Sequence, residues 1–439
     1  MNGILRRWVS ALVLPALIYV CPACEGGGGD GSPTGGGGAG LATSSGGPAG
    51  TGGDGATGGT GGDDGSDGSD GSDGTGVASG TGGAGEGGAG GSGASLEQRL
   101  QAALDGTVAL QEVPGGTAAV RFPDGAVWTG ATGLRRIDPP EPMAPGSVLR
   151  IGSVTKTFVS TVLLQLWTEG AIDLDAPLST WLDLVPDGDV VTLRQILNHT
   201  SGIPDYFESA AFLEALFAEP QRPWAPEELV AYGVAQEPYF APGTGWRYSN
   251  TNYILAGLVL EAATGRPAVE ELRRRVLDPL ELGSTFLDAS EPVPVELARG
   301  YFSSEEITLL DTTTRYHESQ GWTAGSLVSS ASDVARFMAA LLDVGGGGLL
   351  EAPALAEMKT FLPLGHPTYT GYGLGLFARE SAIGPTYGHG GATTGYLASA
   401  YYAPAKGVTV TVLLSLTGGS ADADVVADAL FEVLGDAAF

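Results

Sequence analysis

A serine and a lysine stand three residues apart in Ile151-Gly152-Ser153-Val154-Thr155-Lys156-Thr157-Phe158. Residues at i and i+3 of a helix share a face, so the Ser153 hydroxyl and the Lys156 amine would lie about one turn apart. The run behind them, Phe158 to Trp167, is apolar on nearly every side, which predicts a buried helix ending at Gly170. Burial disfavours the charged form of an amine. A lysine that sheds its proton easily can activate a neighbouring hydroxyl as a nucleophile. The plain alternative is a serine that caps a helix beside a solvated lysine. A cation is unfavourable near a helix N-terminus, which argues for a special role.

Two further triplets carry polar groups. Tyr248-Ser249-Asn250 closes a loop that feeds an apolar helix from Thr251 to Ala263, and His389-Gly390-Gly391 lies in a β-rich quarter. Read singly, Tyr248 is a core aromatic, Asn250 a helix cap and His389 a loop histidine. Thr386 to Gly388 and Tyr396 to Tyr402 read as strands, which puts His389 on a strand edge. Glycines at 390 and 391 let a ligand lie close against such a strand. His199, in the turn-rich stretch Asn198 to Asp205, reads as a structural residue behind the site, and His317 and His366 carry no motif.

Composition narrows the field. The 439-residue chain has a net charge of −29; residues 1 to 94 carry nine acids and two arginines, leaving 41 acids and 19 bases beyond them. A surface that acidic excludes nucleic acid as a partner, because phosphate binding needs a basic patch. Cysteine occurs only at Cys21 and Cys24, so residues 95 to 439 hold no disulfide and no thiolate metal site. Gly-x-Ser-x-Gly, His-Glu-x-x-His and the P-loop are absent. Neither a metal nor a cofactor is expected.

The elements that must hold these residues follow from periodicity. Ser95 caps a helix to Leu104, and Thr117 to Phe122 with Ala126 to Gly133 form a hairpin around Pro123-Asp124-Gly125. Short helices are expected at 191–197, 210–217, 226–234 and 269–276, while 291–322 gives no clear pattern. Ser332 should cap a helix over Asp333 to Leu342. Strands are expected at Gly373 to Ala378 and Val408 to Leu416, the latter buried and central, before a helix from Asp422 to Leu434. This predicts an α/β fold of the α+β type. One antiparallel sheet is built from the N- and C-terminal segments and flanked by helices, beside a mostly helical lobe.

Arg6 and Arg7, the apolar run Trp8 to Val20 and a small-residue site make residues 1 to 24 a secretory signal peptide. Cys24 after Ala23 resembles a bacterial lipoprotein acceptor cysteine. Residues 25 to 94, close to half glycine and without an aromatic, read as a disordered linker. Export to the periplasm or cell envelope is the expectation, with membrane contact only through a lipid on Cys24.

Taken together, Ser153-Val154-Thr155-Lys156, Tyr248-Ser249-Asn250 and His389-Gly390-Gly391 resemble the class C β-lactamase and D-alanyl-D-alanine carboxypeptidase group of serine hydrolases. That group carries S-x-x-K, Y-x-N and K-T-G or H-x-G in this order. Residues 196–203 and 324–330 look like the same family, and the resemblance spans about 95 to 439. It implies an acyl-enzyme on Ser153, with Lys156 and Tyr248 sharing its proton. It also implies that Asn250 holds the substrate amide and that the backbone N–H groups of Ser153 and Ala392 hold the oxyanion. His389 would orient a substrate carboxylate or tune Tyr248. The implied substrate is a D-alanyl peptide of the peptidoglycan type or a small ester. A β-lactamase and a non-catalytic peptide-binding module are the rivals. Histidine stands where β-lactamases of this group carry lysine, which argues against efficient β-lactam hydrolysis.

Overall fold

The computed structural model describes residues 94–342 and 348–439. The expected signal peptide over residues 1 to 24, the expected lipid site Cys24 and the glycine-rich stretch up to residue 93 lie outside the described residues.

Nine strands among the described residues form one sheet. They are β1 (Gly115–Arg121), β2 (Val127–Arg136), β3 (Glu141–Pro142), β4 (Leu362–Pro363), β5 (Tyr369–Tyr372), β6 (Phe377–Ser381), β7 (Gly384–Thr393), β8 (Tyr396–Ala403) and β9 (Val408–Leu414). Their spatial order is β3-β2-β1-β9-β8-β7-β6-β5-β4, antiparallel throughout. The first and last strands of the sheet thus pair in its middle, with Gly116 opposite Leu414 and Arg121 opposite Thr409.

Five helices frame this sheet and the site: α1 (Leu96–Leu110), α2 (Val154–Thr168), α3 (Asn250–Thr264), α4 (Ala331–Leu342) and α5 (Ala423–Gly435). Side chains alternate across a strand, so β9 feeds two cores. Val408, Val410, Val412 and Leu414 pack with Leu100 and Leu104 of α1 and with Leu430 and Phe431 of α5. Leu413 turns the other way, to the core of α2, α3 and α4. Covered on both faces, β8 and β9 are buried at every position, as expected of the central strand.

Local chemistry sets most boundaries. Ser95 and Gln98 close a capping box at the start of α1, which runs on to Leu110. The cap of α4 is Ser330 rather than Ser332: the Asp333 N–H donates to Ser330 Oγ at 3.2 Å. The helix expected over 269–276 stops at Leu272 and widens into a π-turn over Arg273–Leu277, where the fully buried Glu271 gathers Arg274 and Arg275. No strand forms over 373–376. Gly375 adopts φ +73° there, and the chain turns from β5 into β6. Beyond Leu414, Leu416–Gly418 leaves the sheet and pairs in parallel with Tyr301–Ser303, a short strand within the stretch that gave no pattern.

Candidate active site

Gly152, at φ +52°, turns the chain from Leu149–Arg150 into α2. Ser153 follows at the cap position, yet its backbone is helical and its hydroxyl makes no capping bond. That hydroxyl lies 3.0 Å from Lys156 Nζ instead. The reading of Ser153 as a mere helix cap therefore fails.

Lys156 is fully buried. Its amine meets three oxygens: Ala324 O at 2.6 Å, Asn250 Oδ1 at 2.8 Å and Ser153 Oγ at 3.0 Å. The first two can only accept. A neutral amine therefore spends both N–H groups on them and directs its lone pair at the serine hydroxyl. The arrangement suits proton removal from Ser153. Lys156 Nζ also lies 4.9 Å from the centre of the Tyr248 ring, so the three residues share one corner.

Asn250 is placed differently from the sequence reading. It does not cap α3; it is that helix's first residue, and Ser249 holds the cap position without a side-chain bond. The Asn250 carboxamide is shared between Lys156 and Asp205. Its oxygen accepts from Lys156, and its Nδ2 donates to Asp205 Oδ2 at 2.8 Å. Asp205 also takes the Asn250 backbone N–H at 3.0 Å, the donor a side-chain cap would have satisfied.

His199 supports this corner from behind. It is buried, and its Nδ1 accepts from the Ser249 N–H at 3.2 Å. Its ring centre lies 4.3 Å from that of Tyr248 and 4.9 Å from that of Tyr372. Burial, with the charge of Lys156 second, holds its pKa well below the usual histidine range.

The third side of the site is β7. Its pairing with β6 ends at Gly388 opposite Phe377, whereas its pairing with β8 continues to Thr393. From His389 to Thr393 the strand therefore has an open edge facing the cavity. His389 lies inside the strand, at the start of that edge. A Cβ on Gly391 would collide with the Ile151 carbonyl and stand 3.2 Å from Ser153 N, and one on Gly152 would stand 2.6 Å from Ala392 N. The backbone of β7 and the turn at Ser153 approach so closely because both positions are glycine. Ser153 and Ala392 thus bring their amide nitrogens to one place.

His389 is neutral at pH 7. Burial first, and the charge of Lys156 second, push its pKa down to about 3. Nδ1 donates to the Gly390 carbonyl, which leaves Nε2 to accept from the Tyr372 hydroxyl 3.4 Å away. A neutral imidazole offers a substrate carboxylate no charge.

The cavity in front of Ser153 also gathers residues the sequence reading missed. Among the described residues, its lining includes Asp205, Glu208, Glu318, Asp422 and Asp424, and no arginine or lysine. Arginines stand behind three of these acids: Arg247 at 3.0 Å from Glu208, Arg150 at 3.1 Å from Glu318 and Arg379 at 3.6 Å from Asp424. Asp422 accepts from the N–H groups of Asp424 and Val425 at the start of α5. Asp205 stood in a stretch already singled out, two residues beyond Ile203. Asp422 and Asp424 open the helix expected at the C-terminal end, where nothing marked them as facing the site, and Glu208 and Glu318 come from segments with no signal of their own.

A serine hydroxyl, a buried amine, a phenol and paired amide nitrogens on a strand edge make the machinery of a serine hydrolase. Residues 100–435 match the Beta-lactamase family model, and the chain belongs to that family. A D-stereospecific amidohydrolase from Streptomyces sp. superposes with a TM-score of 0.68 at 36% identity, covering 76% of this chain and 98% of that one. D-amino acid amidase from Ochrobactrum anthropi SV3, complexed with D-phenylalanine, gives a TM-score of 0.71 at 27% identity over 77% of this chain and 98% of its own. Esterase EstB of Burkholderia gladioli is 30% identical over 45% of this chain, and the match spans about half of EstB's length, 53%.

Proposed function

We propose that this serine hydrolase forms an acyl-enzyme on Ser153 from small amides, peptides or esters carrying a free amine near the scissile carbonyl, with D-amino acid amides as the model substrate. The acid-lined cavity carries this reading. A protonated amine is favoured among Asp205, Glu208, Asp422 and Asp424, whereas a carboxylate finds no cation in the lining and a neutral His389. The names of the Streptomyces amidohydrolase and the Ochrobactrum amidase support the same substrate class.

In this reading Ser153 Oγ bonds to the carbonyl carbon. Its proton passes to the Lys156 amine and, shared with Tyr248, on to the leaving amine or alkoxide as that bond breaks. The N–H groups of Ser153 and Ala392 hold the oxyanion. Water then attacks the ester on Ser153 and returns the proton to it. Export, with a lipid on Cys24, is proposed on the N-terminal sequence alone.

The test is a substrate panel on the purified protein. D-alanyl and D-phenylalanyl amides with a free amine should exceed their N-acetylated forms in kcat/KM by about tenfold or more, the size of one charge-assisted contact. Faster turnover of N-acetylated D-Ala-D-Ala peptides or of nitrocefin would reverse the assignment toward a carboxypeptidase or a β-lactamase.

A further inference from the structure

Asp205 stands out among the acids of the cavity. Glu208, Glu318 and Asp424 each have an arginine within 4 Å. Asp205 and Asp422 have none among the described residues, and of the two only Asp205 is buried, at 6% exposed. Its bonds are to neutral donors: Oδ2 accepts from Asn250 twice, and Oδ1 accepts from the Phe207 N–H at 3.0 Å. The cation it meets is one residue further on. Asn250 turns its Nδ2 to Asp205 and its oxygen to Lys156 Nζ.

That relay has two consequences. A carboxamide has distinct ends, and an anion accepts only the amino end. Asp205 therefore decides which way Asn250 faces, and with it whether Lys156 finds an acceptor there beside the Ala324 carbonyl. The carboxylate of Asp205, just beyond Asn250, offsets the charge of Lys156.

We propose that Asp205 is a positioning residue for the reaction: through Asn250 it fixes the Lys156 amine against Ser153 and supplies the buried counter-charge that governs when that amine is protonated. The inference rests on the proposed role of Lys156 as the acceptor of the Ser153 proton.

The surroundings agree. The groups facing Asp205 are Lys156 from α2, Asn250 from α3, Glu208 from the adjoining turn and Tyr239, whose hydroxyl accepts the Asp205 N–H at 2.9 Å. Gln236 donates to the Asp205 carbonyl at 2.9 Å. Burial, opposed by the Asn250 and Phe207 N–H groups and by Lys156, raises the Asp205 pKa to about 6. A carboxylate so placed remains charged at pH 7 and favours the ammonium form of Lys156.

The experiment needs no natural substrate. A fluorophosphonate probe forms an O–P bond with Ser153 and expels fluoride while the serine proton goes to the base, so its rate against pH reports that base. In Asp205→Asn the new carboxamide oxygen can still accept from Asn250, while the charge and the bond from the Phe207 N–H are lost. The acidic limb of the labelling rate should move down by about one pH unit or more, as expected when an opposite charge is removed. Asp205→Ala, which also frees Asn250, should label about tenfold more slowly than Asp205→Asn at the plateau, and Asp205→Glu should restore most of the rate. An unmoved limb in Asp205→Asn, with only a lowered Tm, would make Asp205 a purely structural residue and overturn the proposal. Failure of the wild-type protein to label at Ser153 would instead overturn the reading beneath it.

Discussion

Arg150 and Lys156 are two buried cations six residues apart, one before Ser153 and one after it. Arg150 is given carboxylates: Asp288 Oδ2 at 3.2 Å and Glu318 Oε1 at 3.1 Å, with the Thr313 carbonyl at 2.9 Å. The oxygens that Ser153, Asn250 and Ala324 bring to Lys156 are neutral. Burial works against the charge of Arg150, but the attraction of Glu318, with Asp288 and Tyr396 adding to it, outweighs that, and its pKa stays above the ordinary arginine value. The difference separates two tasks. A cation that ties Glu318 and Asp288 to the strand before the nucleophile must keep its charge. A cation that takes the serine proton must be able to lose it.

The comparison breaks if the two residues can exchange effects. Lys156→Met should slow probe labelling of Ser153 by about a thousandfold, within the usual range for losing a positioned base, and lower Tm less than Arg150→Met does. Its labelling rate and melting curve check this together. Arg150→Met should do the reverse, costing about 3 kcal/mol of stability because the part-buried Glu318 loses its cation and Asp288 keeps only the Ala289 N–H. Urea unfolding would read that loss. A Lys156→Met protein that unfolds but labels normally would end the distinction.

Smaller effects sharpen it. Gly391→Ala pushes the β7 edge away from Ile151 and Ser153, so it should reduce acylation by about a hundredfold, the cost of one oxyanion donor. Single-turnover acylation kinetics measure it. The smallest effect concerns pH. Between its ordinary pKa of 6.5 and about 3, His389 is protonated in the unfolded chain and neutral in the fold, so it makes stability fall as pH falls. Asp205 acts oppositely between about 6 and 3.8, where the fold binds a proton the unfolded chain has not yet taken. His389→Gln should therefore lose less Tm than the wild type on going from about pH 6.5 to about pH 4.5. A steeper loss in the variant would contradict the buried, neutral imidazole.

What could be read from sequence was local. Ser153 and Lys156 are one helical turn apart, and the spacing alone implies their meeting; the apolar run behind them implies the burial that makes it matter. The hairpin of β1 and β2 and the central strands β8 and β9 were legible from turn residues and apolar runs, whereas the short outer strands β3, β4 and β5 carried no signal. Where a glycine or a second serine offered two solutions, tertiary packing chose: a turn at Gly375, and Ser330 over Ser332 as the cap of α4. The acid lining was not legible. Asp205, Glu318 and Asp424 lie more than 100 residues apart and share no period or motif. Asn250 read as a cap because asparagine before an apolar helix usually is one; Asp205 took over that duty and freed its carboxamide for Lys156.

The central claim is a covalent bond to Ser153. The direct measurement is peptide-mapping mass spectrometry after acid-quenched turnover of a slowly deacylating D-amino acid ester. The account predicts the acyl mass on the peptide containing Ser153, and its loss in Ser153→Ala. An adduct on another residue, or turnover that survives in Ser153→Ala, would contradict it.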